Sequence, residues 1–347
     1  MQNVLIRVDA GMEVGLGHLH RCLSLANALA RKGSTSHFVI PESEAVRSRL
    51  ARDGITIDEI PSSSSLETDL NITLNFARRI KPQAVVVDSC VVNRDYLWEL
   101  RRAGHYVVSI DDLAEITFPS QLVVNGNVYA QELSYDSAAG DTRFLLGTEY
   151  VMLRPEFWNV PSRVVRDTIR RVLLTVGGTD QQNLMPELLS LMDDFPDDFG
   201  VTAILGPFFE NNREVETAKR HSKRSVRLIY APESVRNIML EADLAISGGG
   251  QTLYELACTG CPTVALQVAP DQHQHVRALF KAGVVYMGEC SCDTGLTEVR
   301  DSLLSLLRDR EAWTRMSKAG QRLIDGKGAL RVAETILAEV VRARDSE

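Results

Sequence analysis

The chain alternates short β-branched runs with stretches whose apolar residues return every three or four positions. In the first half the runs are "NVLIRV", "SHFVI", "ITIDEI", "AVVVDS", "YVVSID" and "LVVNG"; in the second they are "RVLLTVGG", "VTAILG", "VRLIYA", "LAISGGG", "PTVALQV" and "VVYMG". Each has the length and near-continuous apolarity of a strand covered on both faces. Between them lie amphipathic patterns such as "HRCLSLANALARKG", where Cys22, Leu25, Ala26 and Leu29 share a helix face and Gly33 supplies the stop. Such alternation predicts right-handed βαβ units and parallel sheets.

The alternation breaks once and restarts. "LRPEFWNVPSRVVRD", from Leu153 to Asp167, fits neither period and carries two prolines, so it reads as a linker. The predicted organisation is a domain over 1–157 and another over 168–330, each a doubly wound Rossmann-type parallel sheet, facing a central cleft. Residues 331–347 are expected to form a helix that packs back on the first domain. "PSSSSLETD", from Pro61 to Asp69, reads as a polar loop. No solenoid repeat is visible.

Composition narrows the function. The 347 residues are 44% hydrophobic and 24% charged, as in a globular chain of ordinary core size. A net charge of -8 argues against a nucleic-acid or anionic-membrane surface, which needs clustered Lys and Arg. No apolar run approaches the roughly 20 residues of a membrane span, and no signal-like leader is present, so the expected location is the cytoplasm. Oligomeric state is left open. Of six cysteines, Cys258 and Cys261 have the spacing of a zinc pair. Cys258 falls on a helical pattern, Cys261 precedes a strand, and Cys290 with Cys292 offers no matching pair. Reduced structural thiols and no metal are expected.

Glycines mark three predicted strand ends: Gly11 with Gly15 and Gly17, then Gly177, Gly178 and Thr179, then Gly249, Gly250, Gln251 and Thr252. Small residues before a helix let a ligand approach unpaired backbone N–H groups, and phosphate is the natural guest. Tight turns alone would also demand glycine there. The "GLG" of the first cluster does not complete a dinucleotide fingerprint, because His20 stands at the third glycine position. No phosphate-loop Gly-Lys-Ser/Thr is present either, and no cofactor is expected. His18 opens a helix, where the dipole disfavours imidazolium and leaves a neutral ring able to act as a base. Glu255 falls on the helix after the third cluster, where a carboxylate can accept both hydroxyls of a ribose.

These residues carry a family resemblance. The strings "RVDAGMEVGLGHLHRCLSLA", "SIDDLA", "VVNGN", "LLGTEYVMLRPEF", "LLTVGGTDQQN" and "AISGGGQTLYELACTGCPTVAL" occur in order from about Ile6 to Gly283. They resemble the UDP-2,4-diacetamido-2,4,6-trideoxy-beta-L-altropyranose hydrolases of pseudaminic acid biosynthesis. That family implies the two-domain GT-B architecture, related in outline to the lipid-linked N-acetylglucosaminyltransferase of peptidoglycan synthesis. Carried over by position, His18 matches the histidine taken to activate water, and Arg7, Asp9 and Gly17 match its surroundings on the sugar side. Gly249, Gly250, Thr252 and Glu255 match the nucleotide-binding stretch. Two departures touch the sugar side: Asp88-Ser89-Cys90 stands where the family tends to have Asp-His-Tyr, and Asp271-Gln272 where Asn-Gln is expected.

The implied reaction is hydrolysis of a UDP-acetamido-deoxy sugar by water with inversion, without metal, the diphosphate being stabilised by backbone N–H groups. Two alternatives remain: an inverting GT-B glycosyltransferase that deprotonates an acceptor in place of water, and a non-catalytic nucleotide-sugar binding protein.

Overall fold

The computed structural model describes residues 2–10, 17–268, 272–288 and 296–345. Gly11, Gly15, Asp271, Cys290 and Cys292 lie outside the described residues. The chain divides into two compact units, Met1–Pro155 with Lys327–Glu347, and Glu156–Gly326.

In the first unit, β1 (Gln2–Val8), β2 (Ser34–Pro41), β3 (Thr56–Ile60), β4 (Ala84–Asp88), β5 (Tyr106–Ile110), β6 (Leu122–Asn125) and β7 (Arg143–Leu146) are interleaved with α1 (Gly17–Arg31), α2 (Glu44–Arg52), α3 (Leu66–Ile80) and α4 (Arg94–Arg102). The sheet order is β3-β2-β1-β4-β5-β6-β7, with every pairing parallel. β4 is buried along its whole length, as a near-continuous apolar run should be. α1 buries Cys22, Leu25, Ala26 and Leu29, and Gly33 follows it at φ +84°.

The second unit carries β8 (Arg171–Thr175), β9 (Gly200–Leu205), β10 (Val226–Tyr230), β11 (Leu244–Gly248), β12 (Thr263–Leu266) and β13 (Tyr286–Gly288). Its helices are α5 (Leu184–Leu191), α6 (Asn212–His221), α7 (Arg236–Glu241), α8 (Thr252–Cys258), α9 (His273–Lys281), α10 (Thr297–Arg308) and α11 (Arg310–Leu323). The order is β10-β9-β8-β11-β12-β13, again parallel. α12 (Gly328–Asp345) rejoins the first unit and packs on α1, with Lys32 and Glu334 paired at 2.6 Å.

Each predicted strand run forms a strand, and β7 ("RFLL") adds one that the pattern did not single out. The stretch from Pro61 to Asp69 is loop only as far as Ser65. That residue caps α3 by accepting from the Thr68 N–H, and the last four residues are helix. Asp69 consequently turns inward from what reads as a polar loop.

Candidate active site

Both sheets wind outward from an inner pair. In the first unit the chain leaves β1 toward β3 on one side and β4 toward β7 on the other, so β1 and β4 flank the reversal. Helix connections diverge there and leave the strand ends open, which is where parallel sheets hold ligands. Asp9 follows β1, Asp88 ends β4, and His18 lies in the first turn of α1.

His18 Nδ1 stands 2.6 Å from Oδ1 of Asp88, a carboxylate with no solvent exposure. Arg21, one turn along α1, binds the same carboxylate through Nε (2.7 Å) and Nη2 (2.6 Å). Its Nη1 reaches both oxygens of Asp112 at 2.9 Å, and Asn127 donates to Asp112 at 2.7 Å. Burial would raise the Asp88 pKa, but Arg21 and His18 outweigh it and hold the group well below the ordinary carboxylate range. Burial likewise disfavours the His18 imidazolium; the hydrogen bonds to Asp88 and Cys90 and the Asp88 charge overcome it, and the pKa is pushed up to about 10. The neutral ring expected from the helix dipole is therefore replaced by a charged one, because a buried carboxylate outweighs a helix terminus. With Nδ1 engaged, Nε2 is the nitrogen left for chemistry. Cys90 Sγ lies 3.7 Å from it.

Arg7 and Asp9 take a different place. The Arg7 side chain is 2% exposed, donates to Asp9 at 2.5 Å, and grips Asp69 through Nε and Nη2 at 3.0 and 2.6 Å. Tyr96 donates to Asp69 at 2.7 Å. Burial opposes the guanidinium charge, and Asp69 with Asp9 more than offsets that cost. Asp9 spends its other oxygen on Ser89 Oγ (2.7 Å) and the Cys90 N–H (2.9 Å). This network fixes the β4 end and the backbone beside His18, so Arg7 acts through Asp9. Gly17 is exposed, with open space where a Cβ would stand.

In the second unit the reversal falls between β8 and β11, which brings the loops of Gly177–Thr179 and Gly249–Thr252 to one sheet edge. Gly177 has φ +113°, and added Cβ atoms at Gly178 and Gly250 would meet nothing within 4 Å. Gly249 has no such room: its N–H donates to Oε1 of Gln272 at 3.0 Å, and its would-be Cβ overlaps Val276 and Gln272. Gln272 also accepts from the Val268 N–H at 3.2 Å and thereby ties the β12 loop to the third glycine cluster. Gln251 and Thr252 are half-buried at the start of α8, Thr179 is half-buried, and Glu255 is buried within α8. Cys258 and Cys261 are buried thiols directed at the carbonyls of Phe157 and Ala242. Burial pushes them up to about 12 and about 11.

Sequence reasoning singled out His18 but not Arg21 or Asp112, nor the role of Asp88. The signals were an arginine one turn from His18 on the same amphipathic helix, and the carboxylates ending "AVVVD" and "SIDD".

No family model matches the chain. An uncharacterized protein of Methanocaldococcus jannaschii is 27% identical over 274 residues, which is 76% of this chain; the match spans only 55% of that protein. The spore coat polysaccharide biosynthesis protein SpsG of Bacillus subtilis is 25% identical over 346 residues, covering 95% of this chain and 96% of that one. The UDP-2,4-diacetamido-2,4,6-trideoxy-beta-L-altropyranose hydrolase of Campylobacter jejuni is 23% identical over 290 residues, 81% of this chain and 97% of that one. Among solved structures, MurG of Acinetobacter baumannii matches with TM-score 0.70 at 17% identity, over 97% of this chain and 100% of that one. A spinosyn rhamnosyltransferase complexed with thymidine diphosphate matches with TM-score 0.64 at 15% identity, over 96% of each chain. The chain thus has the fold of the GT-B glycosyltransferases and resembles, in sequence, the UDP-diacetamido-trideoxy-altropyranose hydrolase family.

Proposed function

We propose that this chain hydrolyses a UDP-acetamido-deoxy sugar, releasing UDP, in the biosynthesis of a nonulosonic acid or surface polysaccharide. The observation that carries the reading is the Asp88–His18 pair at the β1/β4 reversal, with Nδ1 engaged at 2.6 Å and Nε2 beside the exposed Cys90. Its relatives include a UDP-sugar hydrolase and a polysaccharide biosynthesis protein by name. In this reading Asp88 orients the ring, water loses its proton on the Nε2 side of His18, and Arg21 and Asp112 hold the pair in place. Such proton transfer contributes about 10² to 10⁴ in rate. Attack opposite the diphosphate gives an inverted sugar.

The nucleotide falls to the second unit: Gly177, Gly178, Thr179, Gly250, Gln251 and Thr252 receive the diphosphate, Glu255 the ribose, and Gly249 with Gln272 shapes the loop. Backbone N–H groups take the leaving charge. The test is UDP release from a panel of UDP-acetamido sugars in metal-free buffer, with oxygen-labelled water and no acceptor. Label in the free sugar supports the hydrolase. The likeness to glycosyltransferase structures favours one rival, sugar transfer to an acceptor. Tight binding without turnover would select it.

A further inference from the structure

We propose that Cys90 is a catalytic group of this site: beside the His18 ring its thiol releases its proton to solvent, and the sulfur anion, held by the Nε2–H, then takes the proton from the attacking water. The inference rests on the hydrolase reading and names the atom that meets the water. Asp88, His18 and Cys90 form a carboxylate–imidazole–thiol chain, with 2.6 Å from Oδ1 to Nδ1 and 3.7 Å from Nε2 to Sγ. An imidazole oriented by a carboxylate is the arrangement that activates a thiol. The order matters, because with Nδ1 given to Asp88 the ring has one nitrogen to offer, and Cys90 stands on it.

The backbone that carries the thiol is fixed in position. Its own N–H is held by Asp9 at 2.9 Å, and Asp9 is anchored by Arg7. Cys90 is exposed, whereas Cys22, Cys258 and Cys261 are buried. Among the described residues, the charged and titratable groups around the pair are Arg21 and Cys22 from α1, Asp9 after β1, Asp88 at the end of β4, and Asp112 after β5. Arg21 is neutralised by Asp88 and Asp112 together, and the charged ring directs Nδ1–H at Asp88 and Nε2–H at the sulfur. During hydrolysis the water O–H bond breaks and its proton goes to Sγ, while the oxygen bonds to the anomeric carbon. The bond from that carbon to the diphosphate oxygen breaks, and UDP leaves with the electron pair. The thiol then returns its proton to solvent, and the His18 ring keeps both of its protons throughout.

Alkylation of the native full-length chain by iodoacetamide tests the pair without any substrate, with Cys90 followed by peptide mass spectrometry. At about pH 6 the expected rate is at least about tenfold above that of free cysteine, falling to the free-cysteine rate in His18→Gln and lying between the two in Asp88→Asn. In turnover, Cys90→Ala should lower kcat about 10²-fold with KM little changed. Cys90→Ser should recover no more than about a tenth of the wild-type kcat, since a hydroxyl fills the space without the acidity. Alkylation at the free-cysteine rate with and without His18, or wild-type kcat in Cys90→Ser, overturns the proposal. Rapid, His18-dependent alkylation in a chain that releases UDP from no UDP-sugar supports the thiol–imidazole pair and sinks only the hydrolase reading.

Discussion

Replacing Asp88 with Asn separates the charge of the buried pair from its hydrogen-bonding shape. In the native chain burial works against imidazolium at His18, as does the Arg21 charge, yet Asp88 and Cys90 carry the pKa from 6.5 to about 10. The displacement is 10 − 6.5 = 3.5 pH units, or about 5 kcal/mol in favour of the charged ring at about 1.36 kcal/mol per pH unit. Asn preserves an acceptor for Nδ1 and removes the charge. Burial and Arg21 then act on the ring with only the Cys90 contact opposing them, so the midpoint should fall below 6.5. The assay is an NMR titration of the His18 ring protons in both full-length chains, assigned with His18→Gln, with circular dichroism confirming the fold of each. A midpoint in Asp88→Asn within about one pH unit of the native value would falsify the claim that Asp88 sets the charge of His18.

The same shift has a consequence for stability. Because the folded His18 pKa lies above the unfolded value, its contribution is fully present below about pH 6.5 and lost as the pH rises through about 10. The melting-temperature difference between wild type and His18→Gln should shrink across that window; a difference independent of pH contradicts it. Arg7→Met leaves Asp9 and Asp69 buried without their cation, an expected loss of about 3–5 kcal/mol. Urea unfolding measures it, and a cost below about 1 kcal/mol would show that the network relaxes or admits water. At Gly206 a Cβ would overlap the carbonyl oxygens of Gly177 and Gly178. Gly206→Ala should therefore cost about 1–3 kcal/mol and weaken UDP binding, whereas an unchanged titration calorimetry curve would detach that loop from the nucleotide. Glu255→Ala should weaken UDP binding without changing the fold, and unaltered affinity removes it from the ribose.

The fold was legible because a doubly covered parallel strand has almost no polar position to hide it. β4, β6, β11 and β12 are buried at every residue, and all stand out as apolar runs. β7 did not stand out. It lies at the sheet edge, begins with the exposed Arg143, and is fully buried only at Leu145, so its four residues lack the apolar continuity of a central strand. The stretch from Pro61 to Asp69 misled for a related reason: Ser, Glu, Thr and Asp favour both loops and first helical turns, and only the cap at Ser65 separates the two.

The site divides along the same line between local and distant information. A histidine opening a helix after a glycine-rich loop is a local pattern, and it drew attention to His18. Its charge state is not local. A helix terminus contributes about 0.3–1 kcal/mol, up to about 2 in a partly buried setting, against about 5 kcal/mol for the net displacement that Asp88 and Cys90 impose over burial and Arg21. The partner lies 70 residues away and arrives only because β1 and β4 are neighbours across the reversal. Arg7 makes the converse point. A polar residue inside an apolar strand reads as ligand-facing whether it meets a ligand or a buried carboxylate. Asp69, 62 residues on in what looks like a polar loop, decides for the carboxylate. Polar positions in a parallel strand therefore mark where charge is needed, and the elements packed against the strand, α3 on β1 for Arg7, determine whether the fold or the ligand supplies the opposite charge.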